Sequence, residues 1–366
     1  MRMRKRITLL SIRMIVGYAC CFSQEPPRVD IPGSQVLKLT SQMVKGQEYE
    51  LDILLPGGYK NSGKKYPVLY LMDSQWDFPL AKSLYGQHYF DGFIPEMIIV
   101  GITWGGTNPN PDSLRARDYT PTNEKRLLQS GGADKFLSFI EAELFPFIQS
   151  TYRTDTSDRV LMGCSLGGLF AMYTLFTHPN MFNKYIAASP AYGWDGEVLY
   201  KYEKAYFESN PVKQARLYVT IGEVERGMPG FQRLSKFLAD RNYKNLQIRS
   251  KVLENTGHSG TKTEGFGRGL QFAFERPALH FDASVLRKYA GKYQPASGNS
   301  IEIKIENNRL VCYLSTTHKY FLYAATESDY YATSEFFNLH FTKANAKIEG
   351  FQFERYGKNE FVKRVQ

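Results

Sequence analysis

A serine between glycines, placed where an apolar strand meets an apolar helix, is the feature of this sequence best suited to chemistry. The run from Gly163 to Gly168 reads G-C-S-L-G-G, and it separates the strand-like residues 159–162 from the helical residues 169–177. Glycines allow a sharp turn that exposes the serine Oγ and directs the next N–H toward it. We therefore predict that Ser165 is a nucleophile and that the Leu166 N–H donates to a developing oxyanion.

A serine hydroxyl needs a base to become a nucleophile, and the sequence has six histidines. In chains that carry this turn, an acid and then the histidine follow the serine. His88 precedes Ser165 and His178 follows it by one helix, while three histidines fall near or beyond residue 280. His258 comes directly after the strand-like run 248–253, where a loop can bring its imidazole above the serine. It is the predicted base.

The acid that orients the histidine is expected after the strand that precedes the histidine's own strand. Glu223 and Glu225 both lie there, and the sequence pattern alone leaves both open. A second oxyanion donor is expected in the loop after the strand that ends at Asp73. The candidate N–H groups belong to Ser74 and Gln75.

The three tryptophans each follow a predicted strand, at positions where loops of a parallel sheet gather around a ligand. Trp76, Trp104 and Trp194 are candidate substrate-binding residues, because an indole stacks well on a sugar ring or an aromatic acid. The alternative is that these side chains only close the rim of the core.

The elements that must position these residues alternate between apolar strands and amphipathic helices as far as about residue 278. Such alternation predicts an α/β fold, a mostly parallel sheet with helices on both faces. From residue 281 short alternating runs without helical periodicity predict a small antiparallel β domain. The predicted domains are residues 24–278 and 281–366. The strand-like runs of the first domain are 49–55, 68–72, 97–102, 159–162, 185–188, 217–221 and 248–253.

The N-terminus reads as a targeting segment. Half of the formal net charge of +10 comes from five basic residues among the first 23, and an apolar stretch of 7–22 follows the first four of them. This pattern predicts a signal peptide over residues 1–23 and a periplasmic or secreted protein, without a membrane span once it is cleaved. Cys20 and Cys21 raise lipidation as an alternative, although the residues before them match a lipidation site poorly.

Several function classes have no support in the sequence. Outside the predicted signal peptide only Cys164 and Cys312 remain, which argues against a disulfide framework or a cysteine metal site. No metal-ligand cluster is evident, and we expect neither a metal nor another cofactor. No basic stripe with interleaved aromatic residues suggests a nucleic-acid partner.

Between about Tyr49 and Phe274 the sequence resembles the α/β-hydrolase family of esterase D, feruloyl and acetyl xylan esterases, enterochelin-type siderophore esterases and mycolyltransferases. The resemblance rests on the serine turn and on these segments: Leu55-Pro56, 66–73 (YPVLYLMD), 117–121 (RDYTP), 131–133 (GGA), 143–146 (ELFP), Ser189-Pro190 and Trp194. It implies a triad of Ser165, Glu225 and His258, with Leu166 and Gln75 as oxyanion donors. Arg117, in the RDYTP segment, becomes a candidate substrate-binding residue or a structural one. Ser74 departs from the glycine of many relatives.

The resulting expectation is a serine carboxylic ester hydrolase that works through an acyl-enzyme on a small-molecule or oligosaccharide ester. The three tryptophans favour carbohydrate-linked feruloyl or acetyl esters. A siderophore trilactone is the close alternative, for which Arg115, Arg117, Arg126 and Arg226 could supply positive charge. A peptidase or acyltransferase would share the triad, and a non-catalytic ligand-binding protein on the same fold is an alternative of another class.

Overall fold

The two sheets of this protein are seen in a computed structural model that describes residues 30–365, except residues 128, 297 and 346. The predicted signal peptide lies outside the described residues. Within the described part of the chain, no helix is both long and apolar enough to cross a membrane.

Among the described residues, the first sheet has eight strands in the order β1-β2-β4-β3-β5-β6-β7-β8, and β3 to β8 are mutually parallel. The pairs β1–β2 and β2–β4 are antiparallel. The strands are β1 (Ser34–Thr40), β2 (Glu48–Leu54), β3 (Tyr66–Leu71), β4 (Ile98–Trp104), β5 (Thr154–Cys164), β6 (Lys184–Ala188), β7 (Ala215–Gly222) and β8 (Leu246–Leu253). Because β3 to β8 are parallel, the loops that follow them all open at one edge of the sheet.

Helices pack against this sheet and carry much of the loop structure at that edge. They are α1 (Ser74–Phe90), α2 (Pro111–Tyr119), α3 (Ala133–Phe139), α4 (Phe145–Thr151), α5 (Leu166–Thr177), α6 (Trp194–Glu197), α7 (Leu199–Ser209), α8 (Met228–Asp240), α9 (Thr261–Ala273) and α10 (Ala283–Leu286). Helix α5 is apolar all round, and ten of its residues are buried. A helix of that kind belongs in the interior.

The sequence predicts a kink at Pro146, and the structure places the irregularity one turn earlier. Residues Ile140–Leu144 form a π-helical turn in which the Phe145 N–H bonds to the Ile140 carbonyl, five residues back. A proline ring collides with the carbonyl four residues before it, so a wider turn here accommodates Pro146 without ending the helix.

The second sheet, as far as the structure describes it, has nine strands, all antiparallel, in the order β12-β11-β10-β9-β17-β16-β15-β14-β13. Its strands are β9 (Gly291–Gln294), β10 (Ile301–Glu306), β11 (Arg309–Tyr313), β12 (Lys319–Phe321), β13 (Tyr323–Ala324), β14 (Asp329–Tyr331), β15 (Phe337–Ala344), β16 (Lys347–Arg355) and β17 (Lys358–Arg364). Asn307 and Asn308, with φ of 48° and 60°, form the tight turn between β10 and β11. Asparagine tolerates this left-handed conformation, which hairpin turns require.

Each sheet has its own buried apolar cluster, and an aromatic group that includes Tyr289, Tyr293 and Phe351 fills the second. The predicted fold class, an α/β sheet plus an antiparallel β sheet, is confirmed. The division into domains at about residue 280 stays a prediction, because both sheets belong to one compact unit that begins at Gly33.

We expect Gly163→Ala to lower the free energy of unfolding by about 2 kcal/mol or more, because overpacking against rigid backbone is destabilising. A Cβ at Gly163 would lie 2.6 Å from the backbone of Gly167. Gly86→Ala in α1, where nothing lies within 4 Å, is the matched control and should raise stability by up to about 1 kcal/mol. Urea unfolding of both variants measures the difference, and equal effects would contradict the packing argument.

Candidate active site

Ser165 lies between β5 and α5 in a conformation that few residues adopt, with φ of 57° and ψ of −116°. Its N–H donates to the Ala188 carbonyl at 3.0 Å, and its own carbonyl accepts the Ala191 N–H at 3.0 Å. These bonds tie the serine turn to the end of the neighbouring strand β6. A Cβ at Gly168 would lie 3.1 Å from the Ala188 carbonyl oxygen, so the turn packs directly against that strand end. Backbone strain of this kind is typical of a nucleophile on a strand-to-helix turn.

His258 and Glu225 are in direct contact, with His258 Nδ1 2.7 Å from Glu225 Oε2. The imidazole is half exposed, whereas the Glu225 side chain is 13% exposed. A hydrogen bond to a carboxylate fixes the proton on Nδ1 and leaves the Nε2 lone pair of the neutral ring free to accept a proton. The pair therefore has the geometry of a general base and the acid that orients it.

The other candidate acid has a different partner. Glu223 Oε2 accepts the Asn255 N–H at 2.9 Å, and the residue is exposed. Its carboxylate therefore holds the loop that leads to the histidine, and Glu225 alone of the two bonds to the imidazole.

The remaining oxygen of Glu225 is also held. Oε1 accepts the Gly222 N–H at 2.8 Å and the Ser189 hydroxyl at 2.6 Å. Ser189 is buried, has a φ of 39°, and follows β6, which lies between the strands that carry the serine and the acid. A carboxylate with a donor on each oxygen has little freedom to rotate, so its orientation toward His258 is fixed.

Thr261 completes this network from the first turn of α9. Its Oγ1 lies 2.7 Å from the His258 carbonyl oxygen and 2.8 Å from Ser189 Oγ. Ser189 and Thr261 have one hydroxyl proton each. Because the Glu225 carboxylate is the strongest acceptor near Ser189, the Ser189 hydroxyl donates to it. Sequence reasoning gave neither residue a role, although Ser189-Pro190 was among the segments that carried the family resemblance.

The structure brings Ser165 and His258 to the same edge of the sheet, in the loops after β5 and β8. Throughout the described part of the chain, no hydrogen bond joins Ser165 Oγ to His258. Such bonds are often long in a protein without substrate and shorten in the substrate complex.

The first turn of α1 supplies the second set of candidate oxyanion donors. The N–H groups of Ser74 and Gln75 lie at the start of the helix and have no acceptor within it. Both amide atoms of the Gln75 side chain are also buried, without a hydrogen-bond partner among the described residues. On the serine side, Leu166 opens α5 and its N–H is equally free of a helical acceptor.

Asp73, immediately before α1, is held in the left-handed region with φ of 56°. Arg115 donates to both of its carboxylate oxygens, at 3.1 and 2.8 Å, and the side chain of Asp73 is 2% exposed. Burial raises the pKa of Asp73, and the Arg115 guanidinium beside it opposes that rise. This bidentate pair fixes the turn that presents the N–H groups of α1.

A second ion pair links the helix of the oxyanion donors to the helix that follows the histidine. Lys262 on α9 donates to the buried carboxylate of Asp77 on α1 at 2.6 Å. Burial raises the pKa of Asp77, which Lys262 counteracts. The two halves of the candidate site are therefore joined by a charged contact.

Two of the predicted substrate-binding residues have internal partners, which argues against a binding role for Trp104 and favours the structural alternative for Arg117. Trp104 is 3% exposed, and its indole N–H donates to Asp118 at 2.7 Å. Arg117 donates to both oxygens of Asp118 and to Gln47. A buried carboxylate requires such donors, so these side chains are occupied in neutralising Asp118.

The other two tryptophans differ in exposure. Trp194 is half-buried and donates to Thr122 Oγ1 at 3.1 Å. Trp76 is 49% exposed, and the Arg115 guanidinium lies 5.6 Å from its ring centroid. Trp76 is therefore the indole that a ligand above the site can reach most readily.

The cysteine beside Ser165 is buried, and burial raises the pKa of the Cys164 thiol to about 12. Its sulfur is therefore a packing group, as the sequence suggested. Among the described residues, no group of three or more His, Cys, Asp or Glu side chains could hold a metal ion.

A parallel sheet with helices on both faces and a strained serine turn at its carboxyl edge defines an α/β hydrolase. The esterase family described as "Putative esterase" matches residues 41–263, and the chain belongs to this family. It is a carboxylic ester hydrolase.

Two curated relatives and one solved structure illustrate the similarity. Ferri-bacillibactin esterase BesA of Bacillus subtilis is 30% identical over 271 residues, which are 68% of this chain and 92% of the relative. Siderophore triacetylfusarinine C esterase of Aspergillus fumigatus is 30% identical over 213 residues, 56% of this chain and 72% of that one. An IroE-like serine hydrolase from Shewanella oneidensis is 29% identical with a TM-score of 0.60, covering 69% of this chain and 84% of its own.

We expect Ser165→Ala to reduce hydrolysis of p-nitrophenyl acetate by roughly 10³-fold or more, because no other group would attack the carbonyl. The variant should remain folded, which circular dichroism and urea unfolding can verify. Activity within a few-fold of the wild type would exclude Ser165 as the nucleophile.

We expect Glu225→Gln to lower kcat far more than Glu223→Gln does. The first substitution removes the charge that orients His258, whereas the second alters only a loop contact with Asn255. Loss of a triad acid costs up to about 10⁴-fold in kcat. Steady-state kinetics on p-nitrophenyl acetate provides the comparison, and the reverse ranking would assign the acid to Glu223.

Proposed function

We propose that this protein hydrolyses the ester bonds of a siderophore by serine catalysis, with Ser165 as nucleophile, His258 as base and Glu225 as acid. One observation carries the catalytic part of the proposal. The 2.7 Å contact between His258 and Glu225 lies at the same sheet edge as the strained turn of Ser165. These are the three groups that acyl transfer through an acyl-enzyme requires.

In the proposed reaction, Ser165 Oγ attacks the ester carbonyl and its proton passes to His258 Nε2. The resulting imidazolium is stabilised by the Glu225 carboxylate. The oxyanion accepts hydrogen bonds from the N–H groups of Leu166 and Gln75, and one such donor contributes about 10²–10³-fold to the rate. His258 then protonates the leaving alkoxide, and it activates the water that cleaves the acyl-enzyme.

The charge of the loops around the site favours an anionic substrate. Arg226 adjoins the acid Glu225, and Arg126 lies in the loop whose Thr122 bonds to Trp194. Both arginines are exposed, and neither has an ion-pair partner in the described part of the chain. Such cations attract anions and pair with them. Ferric siderophores with catecholate groups are large anions. Of the two curated relatives, one is named as an esterase of ferri-bacillibactin and the other as a siderophore esterase.

A carbohydrate-linked feruloyl or acetyl ester is the second candidate, supported by the exposure of Trp76. An exposed indole can stack on a sugar or on a phenolic ring. The support is weaker than the three tryptophans suggested, because Trp104 is buried and bonded to Asp118. A periplasmic or secreted location, which both substrates would suit, stays a prediction.

We expect kcat/KM for a ferric trilactone siderophore to exceed the values for methyl ferulate and acetylated xylo-oligosaccharide by roughly 100-fold, a difference of about 2.7 kcal/mol in transition-state binding. Arg226→Gln should lower the siderophore value by roughly 3- to 10-fold and leave methyl ferulate unchanged, because only the first substrate is anionic.

Arg287→Gln is the matched control, an exposed arginine without an ion pair among the described residues, located beyond the α/β sheet. It should alter neither substrate. A preference of similar size for methyl ferulate or the xylo-oligosaccharide would assign the second candidate function. Cleavage of a peptide amide with no activity on any ester would exclude both.

A further inference from the structure

A cavity of about 280 Å³ lies between the two sheets, far from the catalytic residues. Its walls include Tyr66, which opens β3, and residues 93–96, which precede β4. Strands β3 and β5 are parallel, so these residues lie at the edge of the sheet opposite to Ser165. A six-residue strand spans about 20 Å, and the cavity is separated from the nucleophile by roughly that distance.

The first feature that points to a ligand is the hydroxyl of Tyr66. The residue is 2% exposed, and its OH has no hydrogen-bond partner among the described residues. An unpaired buried hydroxyl is destabilising, so a hydrogen-bond partner within the cavity would stabilise this arrangement.

The second feature is the guanidinium of Arg276. It donates to Asn338 Oδ1 at 2.6 Å and to the Gly92 carbonyl at 3.0 Å, and it stacks on the Tyr331 ring at 3.6 Å. In the described part of the chain no carboxylate forms an ion pair with it. Burial lowers the pKa of Arg276 to about 10, and the neighbouring Tyr331 and Glu354 only partly oppose that effect.

Glu354 lies near Arg276, but its carboxylate already has other partners. It pairs with Lys64 and accepts the Asn338 side-chain N–H at 3.0 Å. Glu96 lies in the wall as a second carboxylate. The wall therefore combines these two acids with three cations, Lys64, Lys65 and Arg276. A single excess positive charge suits a ligand with one negative charge and disfavours one with two.

The apolar part of the wall includes three aromatic residues, Phe93, Phe274 and Phe336. The volume is close to the lower end of the usual range for ligand sites, about 300–1,000 Å³, which limits a ligand to about one ring. We propose that this cavity is a second binding site, which takes a small aromatic monocarboxylate whose polar atoms meet Arg276 and the Tyr66 hydroxyl.

The proposal is tested by isothermal titration of benzoate into the full chain, with benzylamine and phthalate as comparison ligands. We expect one benzoate to bind per chain. Benzylamine, which is positively charged, and phthalate, which carries two negative charges, should each bind at least 10-fold more weakly. Tighter binding of benzylamine, or no binding of benzoate at millimolar concentration, would overturn the proposal.

Tyr66→Phe should weaken benzoate binding by about 5- to 10-fold without lowering the free energy of unfolding, since its hydroxyl has no protein partner. Tyr330→Phe is the matched control, because Tyr330 is a buried tyrosine of β14 outside the cavity walls whose hydroxyl also has no partner among the described residues; it should leave the affinity unchanged. Arg276→Gln should weaken binding further, although it also disturbs the contact with Gly92.

Benzoate could instead bind near Ser165 as a product analogue, and kinetics separates the two sites. Competitive inhibition of p-nitrophenyl acetate hydrolysis with an inhibition constant equal to the calorimetric Kd, together with no effect of Tyr66→Phe, would place benzoate in the catalytic site. That result would overturn the proposal and leave the proposed function intact.

Discussion

The carboxylate of Glu225 is the point on which the rest of the site depends. Its two oxygens together meet the Gly222 N–H, the Ser189 hydroxyl and the His258 imidazole, groups that come from three successive segments of the sheet edge. Because each contact is 2.8 Å or shorter, a shift of β6 or β7 would displace the carboxylate and with it the His258 imidazole. The order of the parallel strands therefore sets the orientation of the imidazole.

The oxyanion side depends on a different kind of contact, two ion pairs with buried acids. Asp73 with Arg115 fixes the left-handed turn before α1, and Asp77 with Lys262 joins α1 to α9. Burying such groups carries a desolvation penalty that roughly offsets their attraction. These ion pairs therefore fix the positions of the helices more than they stabilise the fold. Removing one partner alone would leave an uncompensated buried charge, which is strongly destabilising.

The features that could be predicted from the sequence are those that depend on a local pattern of residues. Ser165 and His258 could be proposed as nucleophile and base because a glycine-flanked serine turn and the loop after the last strand are recognisable along the chain, and the structure places both residues at one edge of the sheet. The choice between Glu223 and Glu225 needed the family resemblance, because both lie on one loop and side-chain direction depends on tertiary packing. Ser189 and the partners that Asp118 finds in Trp104 and Arg117 were missed or misread for the same reason: these contacts join residues from separate elements.

The edges of the second sheet bear on how readily this chain associates with other molecules through its backbone. Its two outermost strands, β12 and β13, are joined through the single residue Leu322, so the chain passes directly from one edge of the sheet to the other. The Leu279 N–H also bonds to the Ala324 carbonyl on β13, and Leu322 bonds back to Leu310. Exposed strand edges are templates for intermolecular pairing and aggregation. A sheet whose edges meet and are occupied in this way offers little backbone to a neighbouring molecule, although it is rich in the aromatic residues that favour such association.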